Sequence, residues 1–168
     1  IVIDGWRPRN YDDGYRGAVT LRTAFALSIN TVAADVGREV GPRRVADLAT
    51  RLGVRGMPDR SAFVPPSIAL GSIETTLWDM TSAFAVYMND GRRIDPHIIT
   101  AVSNSAGQEL YRRPAYEPPR VLDEQVVRRM TSMMGAVVLR GTGTGASLGG
   151  RDVAGKTGTS SDWRDAWF

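Results

Sequence analysis

Ala154-Gly155-Lys156-Thr157-Gly158-Thr159 holds the only lysine of the chain; every other basic side chain in the total of 21 Lys+Arg is arginine. Arginine is always charged and presents a planar fork, whereas lysine offers a compact ammonium whose pKa shifts with its surroundings. A lone lysine set between glycine and Thr-Gly-Thr reads as chemical rather than decorative.

Two kinds of site use such a lysine. Gly150 to Thr157 matches the phosphate-loop pattern G-x-x-x-x-G-K-[ST] letter for letter. That pattern needs an apolar strand before it and a helix after it. Here a glycine-rich run precedes it, and Thr159-Ser160-Ser161-Asp162-Trp163 is poor helical material for holding a phosphate, so the nucleotide reading is disfavoured. The other reading is an edge strand facing a substrate. Glycine in a strand marks close approach by another backbone or ligand. Lysine supplies charge for a carboxylate, the threonine hydroxyls supply hydrogen bonds, and free N–H groups serve as oxyanion donors.

Working outward, Thr20 is placed to cap a helix over Leu21 to Leu27. Ser28-Ile29-Asn30 then interrupts, and Thr31 is placed to cap a second helix through Val40. Serine and asparagine compete for backbone hydrogen bonds, so a joint between helices suits them. Pro42 and Gly53 bracket a third helix, with Val45, Leu48, Ala49 and Leu52 as its apolar stripe. Residues 54–72 read as a connection. Thr75 or Thr76 caps a helix whose Leu77, Met80, Phe84 and Met88 are expected to face inward, and Asn89-Asp90-Gly91 stops it. Ile98 to Val102 and Glu109 to Tyr111 read as a hairpin, with His97 at its start. Asp123 caps the clearest helix, to about Arg140, whose Val126, Met130, Met133, Met134, Val137 and Val138 share one face. Gly141 to Gly145 reads as a flexible loop, and strands are expected at about 151–159 and 163–168. Helices first and strands last give an α+β or mixed α/β domain.

Composition excludes several classes. With 168 residues, 42% hydrophobic and 23% charged, the chain fits one ordinary domain or a piece of one. Its net charge of +3 comes from scattered arginines rather than one basic face with interleaved aromatics, so no nucleic-acid partner is expected. Cysteine is absent and histidine occurs once, so disulfides are excluded and neither a metal centre nor a cofactor is expected. No apolar run approaches the roughly 20 residues of a membrane span.

Ser28-Ile29-Asn30 has the form S-x-N, and it precedes Lys156-Thr157-Gly158. K-T-G with S-x-N and S-x-x-K marks the penicillin-binding proteins and β-lactamases. Gly5-Trp6-Arg7-Pro8-Arg9-Asn10-Tyr11, Gly17 to Arg22, Pro66 to Gly71, Asn89-Asp90-Gly91, Gly141-Thr142-Gly143 and Arg164 to Phe168 extend the likeness in order along nearly the whole chain. The chain therefore resembles the transpeptidase domain of a class A, bifunctional penicillin-binding protein, and the implied fold is the penicillin-binding protein/β-lactamase-like one.

This resemblance implies a serine-type D,D-transpeptidase that cross-links peptidoglycan stem peptides ending in D-Ala-D-Ala and is acylated by β-lactams. Covalent catalysis divides one hard acyl transfer into two easier ones. By the same resemblance, Ser28 relays a proton to the departing amine and Asn30 binds the amide of the acyl side chain. Lys156 tunes Ser28 and attracts the substrate carboxylate, which Thr157 and Thr159 hydroxyls bind. Gly158 lets the substrate backbone lie close, and the Thr159 N–H is an oxyanion donor. One departure stands out: no S-x-x-K occurs, since Val153 lies three residues before the sole lysine. The expectation is that residues 1–168 are part of a domain cut at both ends, inactive alone, with the nucleophile preceding Ile1. A glycosyltransferase domain and a membrane anchor would also lie outside, placing the parent on the outer face of the cytoplasmic membrane. A β-lactamase or carboxypeptidase of the same superfamily, and a non-catalytic sensor or scaffold, are the alternatives.

Overall fold

The structure is a computed structural model that describes residues 1–160 and 164–168. Among the described residues five α-helices carry it: α1 Leu21–Ala26, α2 Asn30–Val40, α3 Pro42–Leu52, α4 Leu77–Met88 and α5 Glu124–Arg140. A 3₁₀ turn, Pro66–Leu70, lies between α3 and α4. Strands β1 (Ala101–Ser103) and β2 (Glu109–Arg112) form one antiparallel ladder, and β3 (Gly158–Thr159) and β4 (Ala166–Trp167) form another.

Helix ends follow local chemistry where the sequence supplies it. Thr20 accepts a hydrogen bond from the Thr23 N–H, Thr76 from Asp79, and Asp123 from Gln125. Each satisfies an amide that the helix itself cannot, which stabilises by about 1 kcal/mol. Pro42 opens α3, and Gly53 closes it at φ +104°.

The start of α2 differs from the expectation. Thr31 is inside the helix, and Ile29, at the cap position, offers no side-chain bond. Instead Asn10, from the loop before α1, accepts from both the Thr31 N–H (3.0 Å) and the Thr31 hydroxyl (3.1 Å). Asn10 is itself buried and donates to the Gly14 carbonyl at 2.7 Å. A remote amide has taken the role assigned to a local hydroxyl.

Packing places α1 against α5 and α2 against the 3₁₀ turn. Arg22 of α1 reinforces the first contact by donating to the Ser132 carbonyl at 2.9 Å. Ala46, Val64 and Ile68 form one core cluster, with Val45, Met57 and Ile73 around it. Val86, Leu122 and Val127 form a second, with Leu52, Tyr87 and Val121. Burial of such side chains contributes about 1.5–3 kcal/mol each. In α3, Ala46 is the buried residue, while Leu48 of the expected stripe is exposed.

The inward face of α4 is corrected. Asp79, Ser82, Ala83 and Val86 are buried, whereas Leu77, Phe84 and Met88 are exposed. Val86 packs in one core cluster with Leu52 of α3, and Asp79 can be buried because Arg55 pairs with it at 2.8 Å. Burial pushes the Asp79 carboxyl up, but the Arg55 and Thr76 hydrogen bonds and the Arg55 charge outweigh it and hold it below its ordinary range. On α5, Met134, Val137 and Val138 are buried as expected, but Val127 rather than Val126 points inward.

The first hairpin strand starts three residues later than expected and is shorter, the second runs one residue further, to Arg112, and both are exposed. Its turn is held by Asn104, whose carboxamide oxygen accepts from Ala106 and Gln108. His97 lies in an irregular segment rather than at a strand start. The expected strand over 151–159 is reduced to Gly158–Thr159, with irregular backbone before it; that over 163–168 is reduced to Ala166–Trp167, and Trp163 lies outside the described residues. Gly141 to Gly145 is not a loose loop: Thr144–Ala146 forms a 3₁₀ turn.

Candidate active site

Three segments meet where α1 ends. Ser28 closes α1 with φ +54°, a left-handed backbone uncommon for a residue with a side chain. The turn is held by Ser28 N–H to the Phe25 carbonyl (3.2 Å) and Ile29 N–H to that of Ala24 (2.9 Å). This conformation ends one helix and lets α2 begin two residues later. Sterically unfavourable backbone of this kind clusters at functional sites.

Lys156 donates to Ser28 Oγ at 2.8 Å, across 128 positions of sequence. Its ammonium also donates to the Thr157 carbonyl at 2.8 Å and lies 5.9 Å from the centre of the Phe25 ring. Burial pushes the Lys156 ammonium below the ordinary lysine value. Among the described residues no carboxylate forms an ion pair with it. A half-buried cation left unneutralised attracts an anionic ligand, because Coulomb energies grow as water is excluded.

Lys156-Thr157-Gly158-Thr159 runs into β3, where Gly158 pairs with Trp167 and Thr159 with Ala166. A strand, Gly158–Thr159, rather than a helix directly follows Thr157, which removes the phosphate-loop reading. The Gly155 N–H reaches the Met134 carbonyl on α5 at 3.4 Å. A Cβ at Gly155 would lie 2.5 Å from the Phe168 ring, so any side chain there would have to displace that aromatic. Thr157 is half-buried, while Gly158 and Thr159 are exposed and open to a ligand.

Asn30 sits in the first turn of α2, its Nδ2 donating to the Arg9 carbonyl at 2.9 Å. Adjacent Thr31 is held by Asn10, so residues 9 and 10 brace the joint on which Ser28 and Asn30 stand. The serine, asparagine, lysine and threonine singled out from sequence thus come from one helix joint and one strand entry. Sequence reasoning missed Asn10, Phe25 and Thr142 as participants. Asn10 and Thr142 both lie in stretches that extend the family likeness, Gly5 to Tyr11 and Gly141-Thr142-Gly143, but the bonds that give them a role reach distant segments.

Chemically, the arrangement offers an ammonium beside a hydroxyl, with two further hydroxyls and exposed strand amides alongside. Such a group can hold a carboxylate, move a proton through Ser28 and stabilise a developing oxyanion. Among the described residues, no three His, Cys, Asp or Glu side chains gather as a metal site.

Comparison with known proteins gives these features a setting. Residues 2–166 match the penicillin binding protein transpeptidase domain. Penicillin-binding protein 1A of Aquifex aeolicus is 38% identical over 165 residues, covering 98% of this chain and 22% of that protein. Penicillin-binding protein 1A of Rickettsia typhi is 34% identical over 188 residues, covering 99% and 23%. The chain thus spans about a quarter of the length of these curated relatives. The penicillin-binding protein PonA1 of Mycobacterium tuberculosis superposes with a TM-score of 0.86 at 25% identity, covering 99% of this chain and 48% of that one. Its structure in complex with penicillin V superposes at 0.81 with 26% identity, covering 95% and 45%.

Proposed function

This chain belongs to the penicillin-binding protein transpeptidase family, and on that premise we propose that it forms the part of a peptidoglycan D,D-transpeptidase that binds the substrate's carboxyl end and shuttles its proton. The observation that carries the reading is the 2.8 Å hydrogen bond from Lys156 to Ser28, which joins two motifs 128 positions apart. Residues 1–168 are one portion of the catalytic domain. The nucleophilic serine, in an S-x-x-K sequence, lies in the remainder of the polypeptide, on the outer face of the cytoplasmic membrane.

In this reading a stem peptide ending in D-Ala-D-Ala lies along β3. Its terminal carboxylate sits among the Lys156 ammonium and the Thr157 and Thr159 hydroxyls. The nucleophilic serine gives its proton to the lysine of its S-x-x-K sequence and attacks the penultimate carbonyl, and the oxyanion that forms is met by the Thr159 N–H. Losing one such donor typically raises the barrier by about 3 kcal/mol. Ser28 Oγ passes a proton to the departing D-Ala amine, and the Lys156 charge holds the hydroxyl in place and favours its polarised form. Asn30 binds the amide of the acyl portion. An amine from a second strand then attacks the acyl-enzyme, restoring the serine and completing the cross-link. A β-lactam, whose ring amide and carboxylate stand in for the dipeptide, acylates the same serine and stays.

Fluorescent penicillin tests this on the full-length protein that contains the chain. Covalent labelling is expected at a serine in S-x-x-K outside residues 1–168, and Lys156→Ala is expected to slow it about 100-fold while leaving the melting temperature nearly unchanged. Absence of any label would favour a non-catalytic scaffold. Normal labelling of Lys156→Ala with a large loss of stability would make the lysine structural. Release of the acyl group to water, with no cross-linked product, would assign a carboxypeptidase or β-lactamase instead.

A further inference from the structure

Thr142 lies outside the S-x-N and K-T-G triplets, in the Gly141-Thr142-Gly143 stretch, and the fold holds it against them firmly. Its N–H donates to the Ala26 carbonyl at the end of α1, at 3.1 Å, two residues before Ser28. A Cβ on Gly141 would come within 2.1 Å of that same carbonyl oxygen, and one on Gly143 within 3.0 Å of the Phe168 ring and 3.1 Å of Val137. The Gly143 N–H is tied to the Val137 carbonyl at 3.1 Å. Two glycines with little room for any side chain thus flank a threonine whose backbone is pinned. The threonine hydroxyl meets the Thr157 hydroxyl in a short hydrogen bond.

We propose that Thr142 is a positioning residue for carboxylate recognition, acting through the Thr157 hydroxyl. The inference rests on the transpeptidase reading above. Thr157 Oγ1 lies 3.5 Å from the Lys156 ammonium, so its oxygen is turned toward a cation and its proton away from it. A hydroxyl has one proton to give and two lone pairs to accept with. When Thr142 donates into one lone pair, with the ammonium on the other side, the Thr157 proton is left for the incoming carboxylate. Without Thr142, that hydroxyl keeps only the long contact to Lys156, and the ligand itself must complete its ordering, at an entropic cost. Its alignment is thus built into the protein before substrate arrives.

The role is tested by comparing a penicillin, which bears a carboxylate, with its methyl ester, which does not, on the full-length protein. Thr142→Val keeps the shape and removes the hydroxyl. It is expected to weaken non-covalent capture of the penicillin about tenfold, in proportion to one lost hydroxyl–hydroxyl hydrogen bond, with the acylation step itself little changed. The ester is expected to be captured equally by both proteins, and Thr142→Ser is expected to restore the preference for the free acid. Equal losses for acid and ester, or no loss in Thr142→Val while Thr157→Val loses carboxylate preference, would overturn the role and leave the site reading intact. A protein acylated by neither probe would remove the site reading and this role together.

Discussion

Helices α2 and α5 begin in opposite ways. Helix α5 carries its own cap: Asp123, one residue before it, accepts from the Gln125 N–H at 2.7 Å. Helix α2 has none nearby and borrows Asn10, whose carboxamide bonds Thr31 from 21 residues away. Helix α5, which carries none of the motif residues, is capped locally, whereas the joint before α2, which carries Ser28 and leads into Asn30, is held by tertiary contacts. Coupling the joint to distant segments makes its geometry depend on the whole fold. That suits a site whose hydroxyl must stand within hydrogen-bond reach of a lysine on another element.

Substitution at the borrowed cap should have the larger effect. Asn10→Ala removes two accepted bonds and one donated bond from a buried side chain. It is expected to destabilise by about 2–3 kcal/mol, read as a shift in the denaturant midpoint, and to slow penicillin acylation about tenfold as the Ser28 joint loosens. Unchanged acylation at that loss of stability would show that the joint holds itself.

The local cap is the counterpart. Asp123→Ala is expected to cost about 1 kcal/mol by the same measurement, with acylation of the folded protein unaltered. A slowing of acylation comparable to that of Asn10→Ala would break the contrast, since α5 would then also tune the site.

A smaller effect concerns pH. Burial lowers the Lys156 pKa in the folded protein, so between that lowered value and the ordinary one the unfolded chain binds more protons. Stability therefore rises with pH through this window, and below it the folded state carries the full penalty of the buried ammonium. Lys156→Met is expected to flatten that alkaline rise in the melting temperature. A rise that persists unchanged would assign it to another group.

The same contrast explains what could be read in advance. Helix α3 with Pro42 and Gly53, and α5 with Asp123, were legible because start, stop and apolar period are all local. Ser28, Asn30 and Lys156 were legible as motifs, and the structure brings Ser28 and Lys156 into contact. The inward face of α4 was not legible, because Asp79 is buried only through Arg55, 24 residues earlier, and no periodicity reveals that partner. Likewise a strand is expected over about 151–159, yet the strand proper is only Gly158–Thr159. Asn10 and Thr142 act through bonds to distant segments, which composition and spacing cannot show.

The convergence of Ser28 and Lys156 is tested most directly by a double-mutant cycle on penicillin acylation, with Ser28→Ala, Lys156→Ala and both together in the full-length protein. Residues that act as one unit are strongly non-additive. The double variant is expected to acylate little more slowly than the slower single variant. A loss equal to the product of the two single losses would show that the hydroxyl and the ammonium work independently.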